Sequence, residues 1–538
     1  MIPQYPHIKG VKIFDSTPRE GFQTPGVGAS LDERVEIVKN LRKVYGDDKA
    51  VIELGMPANE VDYPIVRAIM EREKGPQYAF LLRCHDLDVS RARETFASYS
   101  NNMAHLFIGT SEAHRGVRFK GQYSIEDYCN LIKEKIRDVA SDPNVMQVMF
   151  SPEDSTRTFW EQLPDVTEHE KGEVLMRFIE AAKQGYDDGN KEVGRDYPMI
   201  FNLPDTIGIG IPEENRDMLG TAHRIFGEGI DLSVHFHNDI DCATAQTIDA
   251  VTSGYVKFPQ VCFSGSGERN GIGKAEPVIV ALNERGILNF TDEQSAQLTS
   301  TSRNIGHLMG LYLDPRYPVS GPDVNVSTAG IHTQAAARNP NTYHYMGAKY
   351  GNPVRLLFGT TSGSDTAKSF LERQGFQFSQ DQLMDYSGAM KSHANQIKNY
   401  LTETEMHIIA EEIINGRSPN HFTVLDYEVN GTRSEGDSEV KLAVVSDGKP
   451  FFWRGQGVGP VDAAMNALKQ NVGYNCANLT TFRPAIKGMG AGAEMQVTSV
   501  IDYDGQQYWG RGISDSVTFA PVDSVIDAFH NMHFLRNT

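Results

Sequence analysis

"GVKIFDSTPREGFQTPG", residues 10–26, holds the unit that recurs through the first half of the chain. The run Val11-Lys12-Ile13-Phe14 reads as a short buried strand that stops at Asp15-Ser16-Thr17-Pro18 and then delivers Arg19, Glu20 and Gln23. Ser30-Leu31-Asp32-Glu33 follows with the form of a capping box, opening the helical pattern RVEIVKNLRKVYG. The same strand-then-helix order appears eight times, with strands predicted at 11–14, 50–55, 78–85, 103–109, 145–151, 198–203, 232–238 and 260–265. Helical spacing is plainest over 124–140 and 169–186. Mostly apolar strands alternating with helices predict a parallel sheet covered on both faces. Eight units in under 300 residues fit an α/β fold of the (β/α)8 TIM-barrel kind. An open doubly wound sheet would show fewer strands and a GxGxxG turn after the first, which is absent here.

Beyond the barrel the texture changes twice. From 291 to 415 helical stretches surround a Gly/Asn/Thr-rich middle, and from 421 short strands return. FTVLDYEV, EVKLAVVS and KPFFWRG precede a helix at GVGPVDAAMNALKQNV; TFRPAIKG, EMQVTSVIDYD and QQYWGRG precede another at APVDSVIDAFHNM. This is a βββα unit used twice. The expected domains are a barrel over 1–290, helical linker subdomains over 291–415 and an α+β domain over 416–538.

A net charge of −19 argues against a nucleic-acid partner, which needs a basic footprint. Five scattered cysteines with no CxxC favour a reducing compartment and no zinc knot. No stretch approaches the ~20 apolar residues of a membrane span, so a cytoplasmic protein is expected.

In a barrel of this kind chemistry gathers on the loops after the strands. Those positions supply Arg19, Glu20 and Gln23, then His85, Ser111 and His114, then Ser151 and Glu153, Thr206, and finally His235 and His237. His235 and His237, two apart on a strand, point to one face and can reach one divalent cation. Glu20 is the candidate carboxylate to complete the set. Other readings stay open: Glu153 could be a helix-start acid, His332 an idle loop residue, and His85 and His114 either substrate contacts or structure.

Taken together, FDSTPREGFQ, HFHND and GSGERNGI resemble the DRE-TIM metallolyase superfamily, within it the 2-isopropylmalate, homocitrate and citramalate synthases. The resemblance extends through NLPDTIG and STAGIHTQAAARNPNTY, and the last domain resembles the regulatory domain of isopropylmalate synthases. It implies a divalent metal (Zn, Mn or Mg) on Glu20, His235 and His237, with Ile272 standing where a further metal contact is common. It implies acetyl-CoA as co-substrate and Arg19 facing the oxygen that gains charge. Thr206 would bind the oxo-acid carboxylate, with Gln23, His85, His114 and Ser151 lining the substrate site. Glu153, His332 and Tyr343 would form the acid/base group, the last two reaching the barrel of a partner in a homodimer. An amino-acid effector at the C-terminal repeat is a further expectation.

Met149 occupies the place where homocitrate synthases resemble one another in carrying an Arg for a distal carboxylate, so an apolar 2-oxo acid is expected. Phe22, Pro18 and Thr360-Thr361 depart from the isopropylmalate pattern and leave two substrates in play: 2-oxoisovalerate, or phenylpyruvate as in a specialised benzylmalate synthase. A carbon–carbon lyase of the same superfamily and a ligand sensor without activity are the competing functions. The long C-terminal region speaks against the lyase, and the intact Arg19, Glu20, His235 and His237 against the sensor.

Overall fold

The computed structural model of the chain describes residues 2–118, 123–162, 171–329, 332–333, 335–336, 339–343, 347–417, 422–431, 438–446, 448–487 and 493–537. It divides into two compact units, Met1–Asn325 with Met346–Pro353, and Val326–Tyr345 with Val354–Thr538.

The first unit is a closed barrel of eight parallel strands in sequence order. They are β1 (Ile13–Asp15), β2 (Ala50–Gly55), β3 (Gln77–Arg83), β4 (Asn102–Gly109), β5 (Gln147–Glu153), β6 (Met199–Asp205), β7 (Ile230–Phe236) and β8 (Val256–Val261). β8 begins and ends four residues before its predicted place, because Pro259 sits inside a barrel strand where proline ordinarily argues against one. The capping box at Ser30 is formed in both directions, Glu33 Oε2 accepting from Ser30 N at 2.7 Å and Ser30 Oγ from Glu33 N at 3.3 Å. The helix expected over 169–186 is Glu173–Val193; residues 169–170 lie outside the described residues. It runs on because Gly185 and Gly189 are not punctuation: a Cβ on either would collide with the backbone of the helix Ile125–Ala140.

The strand interiors are layered. Phe14, Val51, Ala79, Met103, Met149, Ile200 and Phe258 form one buried apolar cluster across seven strands, and Ser233 supplies the β7 member, its hydroxyl donating to Phe258 O at 2.6 Å. Side chains alternate along a strand, so the next inward residue is two further on. That step gives Ser16, Glu53, Leu81, His105, Ser151, Asn202, His235 and Gln260, of which only Leu81 is apolar. A polar layer thus rests on an apolar plug.

The second unit contains two antiparallel three-stranded sheets, each followed by a helix. β9 (Phe422–Gly431), β10 (Ser438–Ser446) and β11 (Lys449–Gly457) precede the helix Pro460–Val472. β12 (Asn478–Lys487), β13 (Glu494–Tyr503) and β14 (Gln506–Ser514) precede the helix Phe519–Asn537. The third strand of each unit carries Gly-x-Gly (Gly455 and Gly457; Gly510 and Gly512), where any Cβ would run into the following helix. Among the described residues no helix is long and apolar enough to cross a membrane.

Candidate active site

At the C-terminal rim of the barrel a cavity of about 210 Å³ opens above the polar layer. Arg19, Glu20, Gln23, His235, His237 and Glu268 line its charged side. Met56, Leu81, Phe107 and Pro204 line an apolar side, and His105, Ser151 and Asn202 form a polar floor.

Glu20, His235 and His237 bring one donor atom each to within 4.8 Å of one another. His235 Nδ1 lies 2.8 Å from Gln260 Oε1, an acceptor, so the proton sits on Nδ1 and Nε2 is left for another partner. His237 Nδ1 is buried and has no hydrogen-bond partner. Burial pushes the His235 imidazole down to about 3 and His237 below its ordinary range, so both rings stay neutral. Burial works to raise the Glu20 carboxyl, but Arg19 and then His235 outweigh it and hold it below the usual carboxylate range. Two neutral imidazoles, one carboxylate and an orphaned buried ring nitrogen suit a divalent cation. Glu268 N donates to Glu20 Oε1 at 3.0 Å and fixes the carboxylate. Ile272 is buried, bridges to His237 through backbone and offers no donor.

Arg19 differs from its expected arrangement. Expected only to face the oxygen that gains charge, it also pairs through Nη1 with Glu20 Oε2, and its Nε donates to Glu53 Oε2 at 2.7 Å. Glu53 Oε1 lies 2.6 Å from His105 Nδ1, and His105 Nε2 lies 2.7 Å from Ser151 Oγ. Asn202 Nδ2 donates to the same oxygen at 2.7 Å. Glu53, His105 and Asn202 escaped the sequence reading, which took only residues at strand ends. A signal was present: each is a polar residue in the middle of a strand, flanked on both sides by apolar residues.

The remaining candidates scatter. Gln23, Ser151, Glu153 and Thr206 all line the cavity. With its amide turned to satisfy both groups, Gln23 donates to Glu20 Oε2 at 2.9 Å. Thr206 Oγ1 accepts from Asp154 N at 2.9 Å. Burial pushes the Glu153 carboxyl up, against the pull of His114. His114 binds Ser111 Oγ at 2.9 Å and Asp154 Oδ2 at 3.2 Å, and the Asp154 bond raises its ring pKa. His85 is exposed and caps a helix, its Nδ1 accepting from Leu87 N at 3.2 Å. Met149 is a correction: it sits one layer deeper, in the apolar plug, because the His105–Ser151 floor fills the level above it. Phe22, a departure from the isopropylmalate pattern, packs beneath Arg34, 3.7 Å from the ring centre, and is not among the residues lining the cavity. His332 and Tyr343 belong to the second unit, where both are exposed and stack at 4.2 Å between ring centres.

Known proteins resemble the chain along its length. It is 28% identical over 532 residues to the 2-isopropylmalate synthase of Pyrococcus furiosus, covering 97% of this chain and 99% of that one. It is 29% identical over 533 residues to the 2-isopropylmalate synthase of Pelotomaculum thermopropionicum, covering 97% and 98%. The solved HMG-CoA lyase from Brucella melitensis matches 56% of this chain at 17% identity and a TM-score of 0.39, too loose a likeness to carry inference. Residues 400–533 match the LeuA allosteric (dimerisation) domain. Residues 10–305, more than half of the chain, match the HMGL-like family, and the protein belongs to it.

Proposed function

We propose that the protein condenses acetyl-CoA with an apolar 2-oxo acid in a metal-dependent Claisen reaction, after which water cleaves the thioester, releasing CoA and leaving a 2-substituted malate. The observation that carries this reading is the convergence of Arg19 with Glu20, His235 and His237 above a cavity with apolar walls. The names of the relatives, 2-isopropylmalate synthases over nearly the full length, support it.

A divalent cation held by Glu20, His235 and His237 would supply Lewis-acid polarisation of the oxo-acid carbonyl. The chain's own groups do the rest. Arg19, fixed charge in place before the reaction, faces the oxygen that becomes an alkoxide and stabilises it without reorganising. Thr206 orients the oxo-acid carboxylate, and Gln23 braces Glu20. Met56, Leu81, Phe107 and Pro204 receive the tail and exclude water from it. Glu153, raised by burial, belongs to the acid/base group that takes a proton from the acetyl methyl. His332 and Tyr343 complete that group in the barrel of a second copy, which makes the active form a homodimer. An amino acid acting at the βββα repeat completes the proposal.

For the tail, 2-oxoisovalerate is favoured by the relatives' names. Phenylpyruvate is the second reading, supported by the Phe107 ring and the Met56 thioether on the cavity wall, both good partners for an aromatic ring.

A thiol-release assay with acetyl-CoA, a panel of 2-oxo acids and added Zn, Mn or Mg tests the reaction. Release with apolar acids and none with 2-oxoglutarate is expected; no release with any acid sinks the proposal. Repeating the assay with each amino acid present tests the effector, which is withdrawn if none inhibits.

A further inference from the structure

Glu53 is a carboxylate in the middle of an apolar barrel strand, fully buried, and it does not touch the cavity. Burying a charge is costly unless partners repay it, and an ordinary structural ion pair would need only one. Glu53 has three. Its Oε2 accepts from Ser16 Oγ at 3.0 Å and Arg19 Nε at 2.7 Å, while Oε1 faces His105 Nδ1 at 2.6 Å. A carboxylate only accepts, so it fixes a proton on His105 Nδ1 and leaves Nε2 to face Ser151 Oγ. The His105 ring also packs edge-to-face with Phe14 of the plug, 5.8 Å between centres. At the other end, Arg19 spends Nε on Glu53 and one Nη1 hydrogen on Glu20, so both Nη2 hydrogens and the second on Nη1 are left over on a side chain that lines the cavity.

We propose that Glu53 is a positioning residue: one buried carboxylate orients Arg19 towards the reacting oxygen and sets His105 as the floor on which the substrate tail rests. The proposal rests on the condensation reading for what the two ends do, though the clamp itself is a matter of geometry. A planar guanidinium held at two of its three nitrogens has one orientation, and a transition-state donor is effective only if it is already aimed. Because the same carboxylate holds the floor, the distance between the tail subsite and the charge-stabilising donor is set by one side chain.

The test is Glu53→Gln in the full-length protein. The amide keeps the size but replaces one acceptor with an N–H pair, and all three partners of Glu53 are donors. Metal content should match wild type, because the ligands are other residues. With acetyl-CoA and the preferred acid, kcat should fall about 30-fold or more. KM for pyruvate, whose methyl is too short to reach the floor, should stay within about threefold, while KM for the long-tailed acid rises. In a cycle with Arg19→Lys, the double variant should be no slower than Arg19→Lys alone by more than about threefold, since Glu53 acts through Arg19. A folded Glu53→Gln enzyme with wild-type kcat, loss of metal, or additive effects in the cycle would each overturn the proposal. If the Gln variant does not fold, Glu53→Asp, whose shorter arm reaches only one partner, takes its place under the same criteria. A wild-type enzyme that releases no CoA with any acid defeats the condensation reading instead. In that event a crystal structure of the variant still decides the clamp: displaced Arg19 and His105 side chains uphold it, and unmoved ones refute it.

Discussion

Gly267 stands where a methyl group would press on Glu20, the carboxylate of the proposed metal set. Its φ is +150°, and a Cβ there would lie 3.1 Å from Glu20 Oε1 and 3.1 Å from Gly271 Cα. Gly267→Ala should therefore weaken metal retention by about tenfold, while His237→Ala should abolish it. Metal content after dialysis, measured by elemental analysis, checks both; a His237→Ala protein that keeps its full complement refutes the ligand set. At this scale the sequence was most readable where residue type and spacing coincide, as in the His235–His237 pair at the end of β7. It was least readable at Glu53, His105 and Asn202, because a polar residue inside a strand shows neither its partners nor its depth. Met149 failed for a related reason: its face of β5 was legible, but its layer depends on what seven other strands place beside it.

β1 is three residues long, and Asp15 at its end anchors it. Asp15 Oδ2 accepts from Tyr45 OH at 2.7 Å, tying the strand to the helix Leu31–Tyr45. Burial pushes the Asp15 carboxyl up to about 6, despite its bonds from Thr17 and Tyr45. A raised carboxyl contributes stability that is fully present below the unfolded value of about 3.9 and is lost as pH rises through about 6. Asp15→Asn, which cannot ionise, should gain on wild type in thermal midpoint between pH 4.5 and 7.5. A difference that stays constant over that range contradicts the assignment. At the start of the same helix, Ser30→Ala removes the hydroxyl that accepts from Glu33 N, while Ser30 N can still donate to Glu33, and should cost about 1 kcal/mol, read from denaturant midpoints. Elements of this kind were legible because capping boxes and strand–helix alternation are local. β8 slipped by four residues because Pro259 broke the local pattern while the barrel's closure held the strand.

The chain as a whole couples a barrel to a unit built on a repeated βββα pattern. That pattern was readable because each repeat runs three strand-like stretches into a helix, whereas the reason for the Gly-x-Gly pairs, close packing against those helices, was not. If the site is shared between copies, mixing inactive Arg19→Ala and His332→Ala chains under exchange conditions should restore part of the wild-type activity. One barrel in the mixed dimer would then have both an intact Arg19 and an intact His332. No recovery in proven heterodimers would mean that each chain builds its site alone. The apolar plug below the polar layer has a consequence for traffic. Phe14, Met149 and Phe258 close the barrel beneath the floor, so among the described residues the cavity opens towards the C-terminal rim. Whatever rests on the His105–Ser151 floor must arrive first and can leave only when everything above it has gone, so the architecture imposes a queue, first in and last out.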